Sequence, residues 1–372
     1  MIMAKDNHYD DIRPYFDSEV PQVLSRLLFD IDLLNFLGNW RYPWLFKLSP
    51  KLARIPVNAF LKRKLGHINS IKGFQDVVYH YVSDLIRETT SGFEYFGIEN
   101  LDPEQSYIFV SNHRDIAGDS MLLDYALYSS GLDTVRIAVG DNLVQIRFAT
   151  DLMKLNKSFI IKRSEEGTKK IYSALLKSSQ YIQTSLDEGQ SIWIAQSEGR
   201  AKDGMDITDP AIIKMFALAE RKLDFPNLIR RLNIVPIAIS YEYDPCDVQK
   251  AVELATVSSD GAYIKPKGED LANLVRGLGG YKGRVTLKVG SPLKSNFRSA
   301  QDVAKEIDQQ IRENLVLFPI NHWAYSQIEA IKQPLDSNFT DNFRQRLSGC
   351  PENARPFFLS MYANPVRNKA QT

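Results

Sequence analysis

The chain has 372 residues, with 46 basic and 45 acidic side chains and 44% hydrophobic residues. That length supports a sizeable core in one large domain or two, and the near-cancelling charge excludes the overall basic field of a general nucleic-acid binder. The two cysteines, Cys246 and Cys350, match no zinc-ligand spacing and are too few for a disulfide framework, so a reducing compartment and no metal site are expected.

The N-terminus is charged where a secretory signal needs its apolar stretch, and no window of about twenty residues is free of charge, so neither secretion nor a spanning helix is expected. Between Asp32 and Asp76 there is no acidic residue, while Arg41, Lys47, Lys51, Arg54, Lys62, Arg63, Lys64 and Lys72 all fall there. Phe36, Trp40, Tyr42, Trp44, Phe46 and Phe60 are interleaved with them. Cations beside rings and leucines are the composition of a segment lying in the headgroup region of an anionic membrane. The plainer alternative is a set of helices docked on the domain with a solvated basic rim. Pro43, Pro50 and Pro56 are expected to break this arm into short pieces.

From about residue 93 short β-rich runs alternate with helical ones. Strands are predicted at 107–111, 136–140, 158–162, 191–195, 234–240 and 285–290. Between the third and fourth, Ile171, Ala174, Leu175, Ser178, Ile182 and Leu186 recur at helical spacing, with Gly189 placed to stop the helix. The alternation predicts an α/β layer with a largely buried sheet. Residues 244–283 read as a polar excursion without an assignable role, and beyond about 298 a helix over AQDVAKEIDQQIREN and an irregular tail are expected.

The strand YIFVS runs directly into NHRDIAGDSMLLDYALY, which puts His113 just past the carboxyl end of a strand, where open α/β sheets place their sites. Asp119 falls where the next helix begins. A histidine there can take a proton from an attacking alcohol while a carboxylate holds the imidazole in one tautomer. On the plainer reading Asp119 only caps the helix. His8, His67, His80 and His322 lie in no comparable setting, and neither a nucleophile elbow nor a phosphate-binding glycine loop is present.

This segment and three later ones resemble the glycerolipid acyltransferase family typified by 1-acylglycerol-3-phosphate acyltransferases. The family's NHxxxxD is seen as NHRDIAGD, and its apolar strand ending in Arg as FIIKR with Arg163. Its EGTR is seen as SEGRAK with Glu198, Gly199 and Arg200, and its VPVAI-like strand as IVPIAI with Pro236. Two departures stand out. The family's Asp position is Gly118 here, so Asp119, one residue later, is aligned with it and Asp115 is the alternative, Gly118 being expected to absorb the extra residue in the loop. The third block lacks the residue between Gly and Arg, so Arg200 is offset and Lys202 is a possible substitute.

The resemblance implies a mixed, largely buried sheet with flanking helices of the glycerol-3-phosphate acyltransferase kind, preceded by membrane-docking helices. The implied organisation is an N-terminal docking region over 1–92, an acyltransferase domain over 93–298 and a helical extension over 299–372. It also implies base-assisted attack of an acceptor hydroxyl on an acyl thioester, with His113 as base. Arg163, with Lys162, Glu198, Gly199, Arg200 and Lys202, would hold the acceptor's phosphate and glycerol, and Pro236 would be an acyl-site or structural residue. No bound cofactor is implied beyond acyl-CoA or acyl carrier protein as donor. The expected acceptor is a lysophospholipid such as lysophosphatidate, with glycerol 3-phosphate second, met at the cytoplasmic face of a membrane by a peripheral enzyme. A non-catalytic lipid-binding protein and a thioester hydrolase are the rivals.

Overall fold

The computed structural model describes residues 7–294, 296–329 and 340–370. Seven strands run in chain order as β1 (Gly92–Phe96), β2 (Ile108–Ser111), β3 (Arg136–Gly140), β4 (Ser158–Ile161), β5 (Ile192–Ala195), β6 (Ile234–Tyr241) and β7 (Arg284–Val289). The chain divides into two compact units, Met1–Tyr81 with Arg136–Tyr181, and Val82–Val135 with Ile182–Thr372.

In the first unit β3 and β4 pair in parallel, and Ile160 N–H donates to Ile12 O at 2.9 Å, which lays the N-terminal segment along β4. Helix Val20–Leu28 buries Val20, Val23, Leu24, Leu27 and Leu28, one continuous stripe at helical spacing. They pack with Leu33, Leu34, Val57, Leu61, Phe148 and Leu155 into one core. Pro43 and Pro50 each begin a helix, Pro43–Leu48 and Pro50–Leu65, where the missing N–H costs nothing. Pro56 does not break the second of these helices as expected. Val57 and Leu61, the next residue and a turn beyond, are anchored in the core, and that packing holds the helix through the lost hydrogen bond.

The second unit carries the run β1-β7-β6-β2-β5. β2 pairs in parallel with both β5 and β6, β1 pairs in parallel with β7, and β6 meets β7 antiparallel, so the sheet is mixed. Every residue of β2 and β6 is buried, as strands covered on both faces require. The carboxyl ends of β2, β5 and β6 therefore share one edge.

The polar excursion is mostly helical, Asp247–Asp260 and Glu269–Gly279. Beyond helix Ala300–Asn314 the expected irregular tail is instead three helices among the described residues, Pro319–Ile328, Thr340–Gly349 and Arg355–Ala370. Trp323, Phe343, Phe358, Met361 and Tyr362 bury themselves with Ala251 and Ala255 of helix Asp247–Asp260. A second core thus forms from the excursion and the stretch expected to be an irregular tail.

Candidate active site

Where β2 ends, the Asn112 side chain takes over from the backbone. Its Nδ2 donates to Ile239 O at 2.9 Å and its Oδ1 accepts from Ile239 N at 2.8 Å, so the chain stays stapled to β6 for one residue past the ladder. His113 follows, held from below by Trp193 of β5, whose ring meets the imidazole edge to face at 5.9 Å. The indole Nε1 donates to Ser111 Oγ at 2.9 Å.

His113 Nδ1 lies 2.8 Å from Asp119 Oδ2. Asp119 sits in the first turn of helix Gly118–Ser129 and is fully buried. The same Oδ2 accepts Arg114 N at 2.7 Å and Asp115 N at 3.0 Å, and Oδ1 accepts the Tyr241 hydroxyl at 2.8 Å. Because Oδ2 accepts from two backbone N–H groups, it pairs with Nδ1 as an acceptor too, which leaves the lone pair on Nε2.

Asp115 does a different job. Its Oδ1 accepts from Ala117 N at 3.0 Å and Gly118 N at 2.6 Å, turning the chain into the helix. The helix-entry role that the plainer sequence reading gave to Asp119 is thus filled by its neighbour. Burial, with Asp119 beside it, pushes the Asp115 carboxyl above the usual range. Gly118 is not left-handed and is not a spacer of unusual backbone. A Cβ on it would come within 3.0 Å of the Asp115 carboxylate, so its use is room for that side chain. Gly277 of helix Glu269–Gly279 presses closer still, since a Cβ there would fall 2.0 Å from Asp115 Oδ2.

The loop after β5 closes on the histidine: Ala201 N–H donates to His113 O at 2.8 Å, which sets Arg200 next to it in the chain. Glu198 and Gly199 are exposed and Arg200 is half-buried. Gly199 has φ +78° with open space around it, a conformation that favours glycine in this turn. Arg200 Nη1 is buried without a hydrogen-bond partner, while Lys202 is engaged by Glu253. Pro236 lies one residue before Ile237, where β6 begins to pair with β7, and accepts Gly290 N at 2.8 Å.

Lys162 and Arg163 belong to the first unit. Lys162 Nζ is 2.6 Å from Asp11 Oδ2, and Lys177 Nζ grips the other oxygen at 2.6 Å. Against the partial burial that raises it, this pair of cations takes the Asp11 carboxyl down to about 2. Lys162 is therefore committed to an ion pair. Arg163 is half-buried just past β4, and its backbone N–H donates to Asp141 Oδ2 at 3.2 Å.

Residues 92–240, which contain this histidine, its carboxylate and the loop after β5, match the model of the Acyltransferase family. This segment is similar to the Acyltransferase family. Glycerol-3-phosphate acyltransferase of Pseudoalteromonas translucida (strain TAC 125) is 29% identical over 191 residues, 51% of this chain and 22% of the relative. The protein of the same name from Pseudoalteromonas atlantica is 29% identical over 204 residues, 52% of this chain and 22% of its own. The chain thus spans about a fifth of the length of these curated relatives. Among solved structures, the 1-acyl-sn-glycerophosphate (LPA) acyltransferase PlsC from Thermotoga maritima is similar over 76% of this chain and 96% of its own, at 14% identity and a TM-score of 0.39, a depth that adds nothing to the assignment.

Behind this loop lies a buried network that the sequence did not announce. The Arg114 guanidinium, held charged by Asp206 and Asp244 against the cost of burial, bonds Asp206. Its backbone carbonyl accepts Lys250 Nζ at 2.7 Å, and Lys250 is also paired with Asp244. From there Asp244 N reaches Tyr362 at 3.0 Å, and Tyr362 and Arg346 both bond Asp247 Oδ2, at 2.8 and 3.0 Å. The excursion and the C-terminal helices are therefore bonded to the backbone beside His113. Tyr241, one residue past the predicted end of its strand, is the other side chain that sequence reading missed. Its one signal is alternation: it falls on the face of Ile237 and Ile239.

Proposed function

We propose that this chain transfers a fatty acyl group from a thioester donor to the hydroxyl of a phosphate-bearing glycerol acceptor, with His113 as general base and Asp119 as the residue that orients it. The observation that supports this most is the His113–Asp119 contact at the carboxyl edge of β2, inside the segment that matches the acyltransferase family. Nδ1 is occupied by the carboxylate, so Nε2 is the nitrogen that takes the acceptor's proton as its oxygen attacks the thioester carbonyl. The imidazolium so formed is stabilised by Asp119 and returns its proton to the leaving thiolate. No serine or cysteine nucleophile is required, and acyl-CoA or acyl carrier protein serves as donor.

Arg200 is the basic group of the second unit best suited to an acceptor phosphate, because part of its guanidinium is buried without a partner and such a group gains most from an anion. Glu198 and Gly199 shape its turn. Lys202, paired with Glu253, is the weaker candidate; for Arg163 and Lys162 of the first unit a phosphate role rests on the motif resemblance alone. A lysophospholipid such as 1-acylglycerol-3-phosphate is one acceptor that suits this chemistry. Glycerol 3-phosphate is the other, favoured by the names of the similar proteins.

The acyltransferase domain, 93–298, would be presented to the cytoplasmic face of a membrane by the region 1–92 and flanked by the extension 299–372. Among the described residues no helix is long and apolar enough to cross a membrane. Trp40 and Trp44 are 67% and 70% exposed, and Leu48 and Ile55 are 73% and 63% exposed, beside exposed Arg41, Lys47, Lys51, Arg63 and Lys64. Phe36, Tyr42 and Phe46 are turned partly inward, so the contact would rest on the tryptophans and aliphatics. Such a surface suits reversible attachment to anionic lipid.

The test is to incubate the protein with acyl-CoA or acyl carrier protein donors and a panel of glycerol 3-phosphate, lysophosphatidate and uncharged glycerol acceptors, identifying products by mass. Acylated product from phosphate-bearing acceptors only is the expected result. Free fatty acid released at the same rate without any acceptor would mark a thioester hydrolase, and no turnover with any pair would favour a lipid-binding protein.

A further inference from the structure

The assignment of His113 leaves open what sets the plane of its carboxylate. Asp119 Oδ2 takes three donors, but two of them, Arg114 N and Asp115 N, belong to the same short loop as His113 and would move with it. The remaining oxygen, Oδ1, accepts the Tyr241 hydroxyl at 2.8 Å. Tyr241 ends β6, a strand buried along its whole length and paired to β2 on one side and β7 on the other. It is the side-chain bond that ties this carboxylate to the sheet rather than to its own loop.

We propose that Tyr241 is a positioning residue for acyl transfer, its hydroxyl fixing Asp119 from the sheet and moderating the hold of that carboxylate on the His113 imidazole. The proposal rests on the reading of His113 as the base. Burial, with Asp119 and Asp115 adding to it, pushes the Tyr241 hydroxyl well above its usual range, so it stays protonated wherever an imidazole titrates and acts there as a donor. A hydrogen bond donated to one carboxylate oxygen draws charge away from the other. Removing it concentrates charge on Oδ2, stabilises the imidazolium, and raises the pH at which His113 gives up its proton. The other charged groups around this cluster are Arg114 and Asp115 from the same loop, Asp206 after β5, Asp244 after β6, and Lys250 behind Arg114. All of them persist when only the hydroxyl is deleted.

The experiment is Tyr241→Phe in the full chain, which keeps the ring and so the packing. In steady-state acyl transfer, kcat at neutral pH should fall about tenfold with the acceptor KM little changed, and the acid limb of the pH profile should move up by roughly half a pH unit or more. In parallel, nitrogen NMR titration of the five histidines, assigned with His113→Ala, should show the His113 ring titrating at higher pH in the variant by the same amount. That measurement needs no substrate. An upward shift in the NMR titration without any acyl transfer by the parent would keep the role of Tyr241 and remove the proposed reaction. An unmoved His113 titration overturns the proposal whatever the activity does, and a variant that fails to fold would make the hydroxyl a structural group and overturn it as well.

Discussion

Two carboxylates two and six residues after His113 have been given different work by their surroundings. Asp119 touches the imidazole, whereas Asp115 spends Oδ1 on Ala117 N and Gly118 N. Asp119→Asn should therefore lower turnover by on the order of 10³-fold at nearly unchanged stability, because the amide can hold the wrong tautomer. Asp115→Asn should keep most of its turnover and lose stability instead; equal loss of turnover in both would contradict the assignment. Lys282 gives a second test at this scale. It is almost fully buried, its Nζ bonded to Leu278 O and Gly280 O at 3.0 and 2.9 Å, and burial takes its pKa from 10.5 down to about 8 although Asp115 opposes the shift. Between those two values the unfolded chain holds a proton that the folded chain does not, so stability should rise as pH climbs from about 8 towards 10, by at most about 3 kcal/mol. Urea unfolding of the parent and of Lys282→Met across that window should differ by this rise, and a pH-independent difference would show that the folded-state shift is absent.

At the scale of elements, what was legible followed from how much each stretch keeps to a local rule. Six of the seven strands stood out as short apolar, β-rich runs, and β2, β4 and β6 are buried along their whole length, the pattern of strands covered on both faces. β1 did not, since GFEYF is half-exposed and pairs on one side with β7. The helix over Thr168–Asp187 and its stop at Gly189 were readable from period and turn chemistry, and Gly189 adopts φ +73°. The excursion over 244–283 was not readable, because its charges imply solvent and yet Asp244, Asp247, Lys250 and Lys282 are all buried. Beyond the local Asp244–Lys250 pair, the partners Arg114, Arg346 and Tyr362 lie far away in sequence, and no local pattern reveals such pairings. The close approach of helix Glu269–Gly279 is tested by Gly277→Ala. Its Cβ would collide with Asp115 Oδ2, so a loss of about 1 to 3 kcal/mol in stability is expected, together with reduced turnover. A neutral variant would mean that this helix does not bear on the active loop.

For the molecule as a whole, the near-neutral charge hides a basic, partly apolar surface on the first unit, and this much was legible from the acid-free stretch alone. Which rings point outward was not, because Phe36 and Tyr42 are drawn into the core that Phe148 and Leu155 complete. Lys62, Arg63 and Lys64 are exposed, so reversing all three to Glu should leave the fold intact and remove about 1 kcal/mol of attraction per cation to an anionic surface. Sedimentation with anionic vesicles at low salt should fall sharply in the variant, and transfer to a water-soluble short-chain acceptor should persist. Unchanged sedimentation at low and high salt would favour the docked-helix reading of that segment. The central claim concerns the proton of the acceptor hydroxyl, and the most direct measurement is acyl transfer by His113→Ala, with its fold checked by circular dichroism and thermal unfolding. A folded protein whose transfer rate has dropped by roughly 10³-fold or more is the predicted result, whereas near-parental turnover by a folded His113→Ala chain would contradict the account.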